Sequence, residues 1–147
     1  MRVLHVTDFY PPTLGGLERY VQSLATESVS AGLDVAVATQ SHPQAAASGV
    51  EDGVRVFRIK SSSARVLKRA YVDPERPFLP PAPDPAVRRQ LRAIIESWRP
   101  DIVQSHGWIS FSTAARRVPP STASLRERSI SAEMYSGVSM AFCFRSP

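Results

Sequence analysis

An α/β fold built on a doubly wound parallel sheet is predicted by three observations. The first is the opening stretch, Met1 to Gln40, which reads strand, glycine loop, helix, strand. The second is Asp84-Pro85, which opens an amphipathic helix leading into another β-rich run, Asp101 to Ser105. The third is the alternation of helical and strand periods along the chain, the signature of βαβ units.

The first strand is the apolar run within residues 2–7, Val3-Leu4-His5-Val6. A Pro-rich loop, Asp8 to Leu14, follows it. Gly15-Gly16 opens a helix expected over Gly16 to Ala31, with Leu17, Tyr20, Val21 and Leu24 on its apolar face. Glu18 lies in the first turn, at the positive end of the dipole. Gly32 has the place of a C′ stop. Leu33 to Thr39 alternates and forms the second strand, so pairing should be parallel with a right-handed crossover. Ser41 to Gly53 reads as a loop. Val54 to Lys60, VRVFRIK, reads as a third strand near the sheet edge, one face buried and one wet. Ser61 to Pro83 is a long excursion rich in serine, proline and basic residues, with a short basic helix expected over Ala64 to Tyr71.

Asp84 then serves as N-cap and Pro85 as first helical residue. Val87, Leu91, Ile94, Ile95 and Trp98 share the buried face, and Pro100 ends the helix. Residues 101–105 form the fourth strand and deliver His106 to its carboxyl end. Gly107-Trp108 turns the chain, and Phe111 to Arg117 starts another helix. The spatial order expected for the four strands is 3-2-1-4. After Arg117 the pattern fails. Residues 118–147 are serine-rich with scattered apolar residues and only a weak helix over Ser124 to Tyr135. They are expected to be a poorly ordered tail, leaving the sheet exposed near Ile102 and Val103.

Composition narrows the function classes. The 147 residues suffice for one domain, and no apolar run is long enough to span a bilayer. A lone cysteine, Cys143, supplies neither an internal disulfide nor a metal cluster. The net charge of +5 is unevenly spread: residues 1–60 carry five Lys/Arg against six Asp/Glu, while 61–100 carry eight against four. Arg65, Lys68 and Arg69, with Arg88, Arg89 and Arg92, are candidates for contact with anionic lipid. No aromatic–basic interleaving points to nucleic acid. A dinucleotide-dependent oxidoreductase is disfavoured. No G-x-G-x-x-G follows the first strand, and the second strand ends in Thr39-Gln40 where an acidic ribose ligand would stand.

The glycine pair has two readings from these residues alone, a tight turn or a backbone cradle for an anion at a helix N-terminus. MRVLHVTDFYPPTLGGLERYVQSLA, GLDVAVAT and RPDIVQSHGW together resemble the amino-terminal domain of family-4 glycosyltransferases. These are retaining enzymes of the GT-B architecture, with two Rossmann-like domains facing across a cleft. The resemblance covers residues 1–117 and implies an incomplete acceptor-side domain there. It implies that Gly15 and Gly16 meet the diphosphate or sugar of a nucleotide-sugar donor. It implies that Glu18 orients that loop, and that His106 lies near the transferred sugar as the catalytic-site residue of this half. Gln104 replaces the first histidine of the family's His-x-His strand end. No metal or cofactor is expected beyond the nucleotide-sugar and an unknown acceptor. The chain is expected to be cytoplasmic, with peripheral contact at the inner membrane face, and inactive without a donor-binding domain. The alternative is a non-catalytic binding module that retains the acceptor surface.

Overall fold

The computed structural model describes residues 1–62 and 84–107, together with the backbone of 126–127 and 144–145. In chain order these form β1 (Arg2–Thr7), α1 (Gly16–Ser30), β2 (Asp34–Gln40), β3 (Ser48–Glu51), β4 (Val54–Ile59), α2 (Pro85–Trp98), β5 (Ile102–His106), β6 (Arg126–Glu127) and β7 (Phe144–Arg145). The main sheet has the order β3-β4-β2-β1-β5. β4, β2, β1 and β5 are parallel and keep the order expected from sequence. An α/β, Rossmann-like fold is thus established.

The core follows from the two-residue period of buried strands. Leu4, Val6, Ala36, Ala38, Ile59 and Val103 project to one face and meet Val87 and Leu91 of α2. Val35, Val37, Val54 and Val56 project to the other and meet Val21 and Ala25 of α1. Ile94, Ile95 and Trp98 pack at the margin of the first cluster, as the helical spacing of α2 requires. Asp84 caps that helix as its sequence implies. Its Oδ1 accepts from the N–H groups of Ala86 and Val87 at 2.9 and 3.4 Å.

Several expectations are corrected. The stretch 41–53 is not all loop, because β3 pairs antiparallel with β4 through Asp52-Gly53. Both turn residues have positive φ, 50° and 79°. This is the twist a two-residue hairpin loop demands, and Asp-Gly is among the dipeptides that supply it. β4 is therefore flanked on both sides, and β3 is the edge. The wet face assigned to β4 also fails at Arg58, which is buried. Arg55 and Arg58 are three residues apart, so they lie on opposite faces, and Arg58 shares its face with Val54 and Val56. Tyr20 lies off the buried seam of α1, which runs through Leu17, Val21, Ala25 and Val29. Val103, expected to be exposed, is buried beneath α2.

Within residues 118–147, β6 and β7 form a two-residue antiparallel pair, Arg126 opposite Arg145 and Glu127 opposite Phe144. The helix expected over Ser124 to Tyr135 therefore fails at 126–127. The basic helix over Ala64 to Tyr71, the helix from Phe111, and the order of the rest of the tail lie outside the described residues.

The hairpin yields a test. A Cβ at Gly53 would combine a positive φ with a 3.1 Å approach to Cγ1 of Val29. Gly53→Ala should lower stability by roughly 1–2 kcal/mol. Gly49→Ala, where the added carbon meets nothing within 4 Å, should cost under about 0.5 kcal/mol. Urea unfolding midpoints of the two variants check the contrast.

Candidate functional site

The carboxyl ends of the parallel strands gather the polar residues of the domain. β1 releases the loop Asp8 to Gly15 there, and β5 ends there in His106. The two strands are neighbours, with Thr7 opposite His106 in register. Ligands in open α/β sheets sit beyond this end of the strands.

Gly15 is the N-cap of α1, in extended conformation and with no side-chain cap hydrogen bond. Any residue tolerates that backbone. The constraint at Gly15 is space, because the carboxylate of Glu18 occupies the volume a Cβ would take. Glu18 is itself buried. Gly16 differs: a Cβ there would meet nothing within 4 Å. The packing of the described residues thus does not require glycine at 16, and its side of the loop is open.

His106 is fully buried on the α1 side of the sheet. Its Nε2 lies 2.9 Å from Nδ1 of His5, in hydrogen-bond contact. His5 is one strand over and two register positions earlier, on the same face. Above them the ring of Tyr20 meets His106 edge-on, with centroids 6.2 Å apart and planes at 69°. Tyr20 keeps 52% of its surface exposed. It stands one helical turn after Gly16 on α1.

Burial depresses both imidazoles. His5 is lowered to about 4 by desolvation and then by the neighbouring His106. His106 is lowered to about 4 by desolvation. Both rings are therefore neutral at pH 7. A neutral imidazole can donate or accept a hydrogen bond, but it brings no positive charge to a diphosphate. His5 reads as structural from sequence, and in the fold it holds His106. Its signal was faint: a polar residue amid the apolar run of the first strand, on the face that alternation assigns to the core.

Arg58 is a buried cation at this end and forms a two-point ion pair with Glu51 of β3 at 2.6 and 3.0 Å. Tyr10 of the Pro-rich loop packs in the α1-side core. Its phenol is pushed up to about 12 by burial first and then by the carboxylates of Glu51 and Asp52. Of the basic residues singled out, Arg88, Arg89 and Arg92 are exposed on α2. Arg92 pairs with Glu96 at 3.7 Å. Arg65, Lys68 and Arg69 lie outside the described residues. Among the described residues, no group of three or more His, Cys, Asp or Glu could hold a metal ion. None of the described helices is long and apolar enough to cross a membrane.

The family model of the glycosyl transferase 4-like domain matches residues 15–127. The chain belongs to that family. Its match begins at Gly15 and runs past the boundary drawn at residue 117. The chain is also 30% identical over 122 residues to the glycogen synthase of Mycobacterium tuberculosis, in strains CDC 1551 / Oshkosh and ATCC 25618 / H37Rv alike. That match takes in 74% of this chain and 28% of the relative. The chain thus spans less than a third of the length of the curated relatives it matches. No solved structure matches it at a significant level. The family and these relatives support glycosyl transfer as the general activity of the proteins in which this domain occurs.

The histidine pair makes acid sensitivity testable. Unfolded imidazoles take up protons near pH 6.5, whereas the folded pair resists until about 4. Between these values the unfolded chain binds more protons, so stability rises with pH and is lost as pH falls through the window. Between pH 7 and 4.5 the wild type should lose roughly 4–5 kcal/mol more than a His5→Leu/His106→Leu variant. Urea titrations at the two pH values measure the difference; equal losses would contradict it.

Proposed function

We propose that this domain serves retaining transfer of a glycosyl group from a nucleotide-sugar, as the acceptor-side half of a GT-B enzyme. Gly15-Gly16 meets the donor diphosphate, Glu18 orients that loop, and His106 stands near the transferred sugar. The observation that carries this reading is the open side of Gly16. The packing described does not require a small residue there, whereas a diphosphate approaching the backbone N–H groups does. Transfer of this kind needs the leaving diphosphate neutralised and the acceptor hydroxyl held in line. The neutral His5–His106 pair suits positioning by hydrogen bonds, and charge neutralisation falls to groups outside it. Because the chain spans only part of its relatives, turnover is ascribed to the assembled enzyme. The 147 residues alone should bind donor fragments without transferring sugar.

NMR titration of the chain with uridine 5′-diphosphate is the test. The amides of Gly15, Gly16 and Leu17 should shift most. Gly16→Val, which fills open space, should keep the fold and weaken binding about tenfold or more. Shifts confined to other regions would overturn the site. Binding of free sugars with no response to the diphosphate would favour the acceptor-binding module.

Peripheral contact with anionic lipid, at the inner face of the cytoplasmic membrane, is part of the same reading. It is supported by the exposure of Arg88 and Arg89 near the start of α2. As a crossover helix, α2 begins at the end of the sheet where the site lies. Co-sedimentation with phosphatidylserine vesicles should fall steeply with added salt and drop for Arg88→Gln/Arg89→Gln. Equal binding to phosphatidylcholine vesicles would reject the contact.

A further inference from the structure

Arg58 is buried at the carboxyl end of β4, its side chain only 2% exposed. Its fork is occupied on both sides. Nη1 donates to Oε1 of Glu51 at 2.6 Å and to the carbonyl of Ala46 at 3.2 Å. Nη2 donates to Oε2 of Glu51 at 3.0 Å and to the carbonyl of Pro11 at 2.9 Å. The last of these bonds crosses 47 residues of sequence to reach the loop that carries Gly15 and Gly16.

That loop is held carbonyl by carbonyl. The Asp8 carbonyl accepts from the N–H of Gln40 and the hydroxyl of Thr39, both at 3.4 Å. The Phe9 carbonyl accepts from the Thr7 hydroxyl at 3.0 Å. The Tyr10 carbonyl accepts from the N–H of Thr13 at 3.2 Å, and the Tyr10 ring is buried in the core. The Pro11 carbonyl, four residues before Gly15, is held by Arg58. β1 and β2 therefore fix the start of the loop, while β4 fixes its middle at Pro11.

We propose that Arg58, with Glu51 as its counter-charge, is a positioning residue that sets the glycine loop for a diphosphate ligand. The proposal rests on the diphosphate reading given above. Arg58 does not itself meet the phosphates. Four of its five N–H donors are spent on protein oxygens, and Glu51 balances its charge. The planar fork is what joins a carboxylate and two carbonyls at once; lysine, a point charge, cannot span them. Glu51 belongs to the edge strand, so the hairpin β3–β4 buttresses the site from outside the parallel sheet.

A direct phosphate ligand and a positioning residue respond oppositely to loss of Glu51. Glu51→Gln frees positive charge and would tighten binding of uridine 5′-diphosphate if Arg58 met the phosphates. If Arg58 positions the loop, Glu51→Gln loosens it and binding weakens by about threefold, and Arg58→Met by about tenfold. Amide hydrogen exchange without ligand should show the same variants speeding exchange at Thr13 to Gly16 more than in β1. Arg58→Lys should recover less than half of either effect. Tighter binding in Glu51→Gln overturns the proposal. So does a lowered urea midpoint with unchanged affinity and unchanged loop exchange, which would make Arg58 a scaffold residue only. If Arg58→Met does not fold, Glu51→Gln decides, because the Glu51 side chain is 40% exposed. If the wild type shows no response to the diphosphate at Gly15 and Gly16, the diphosphate reading fails, and the exchange data still decide whether Arg58 sets the loop.

Discussion

The structure depends on β1 being paired along both edges and covered on both faces. β2 takes one edge and β5 the other, in continuous parallel register. At its amino end the same logic extends into the turns. The carbonyl of Met1 accepts from the N–H of Asp34, and that of Arg2 from the N–H of Asp101, at 3.1 and 2.9 Å. The N–H of Arg2 in turn donates to the carboxylate of Asp101 at 2.6 Å. A strand so enclosed must be apolar on both sides, and each helix needs its own apolar stripe to match. Many of the buried polar side chains then gather toward the carboxyl end, where the strands stop and their backbone groups must find other partners.

At that end the fold handles buried polar groups in two ways. The imidazoles of His5 and His106 shed their charge and meet each other, so no imidazolium is buried at pH 7. Arg58 cannot shed its charge, so it takes a carboxylate from the neighbouring strand and two carbonyls from loops. An ion pair of this kind adds little net stability compared with apolar packing, but it is costly to break from one side. Its value lies in geometry: it joins the edge hairpin to a loop that the strand order alone would leave held at one end. Tyr10, Glu51 and Arg58 thus form one cluster behind the glycines, while Tyr20 and the histidine pair form another beneath α1.

Much of this was legible in the chain. Apolar periods located β1, β2, β4, α1, α2 and β5, because half-buried elements print their faces directly on the sequence. The Asp84 cap and the Gly32 stop were legible because both are local chemistry. The hairpin was missed although Asp52-Gly53 announced it, since the strand before it, Ser48 to Glu51, has a single apolar residue. The phase slip at Phe57-Arg58 was also visible, but a basic residue on a buried face is the reading that alternation discourages. Tyr20 fitted the helical face by spacing, but it lies off the buried seam and meets His106 edge-on instead.

The sequence by itself determined the fold class, the strand order and the candidate residues Gly15, Gly16, Glu18 and His106. These rest on periodicity, capping and short motifs, all of which act within a few residues of themselves. Tertiary structure alone decided that His106 is covered and paired with His5, that Glu18 fills the space beside Gly15, and that Arg58 reaches Pro11. Each of these is a contact between residues held by different elements, or a matter of which way a side chain folds back. No local period encodes such a partner. It exists only once the pairing of parallel strands has brought distant segments to the same end of the sheet.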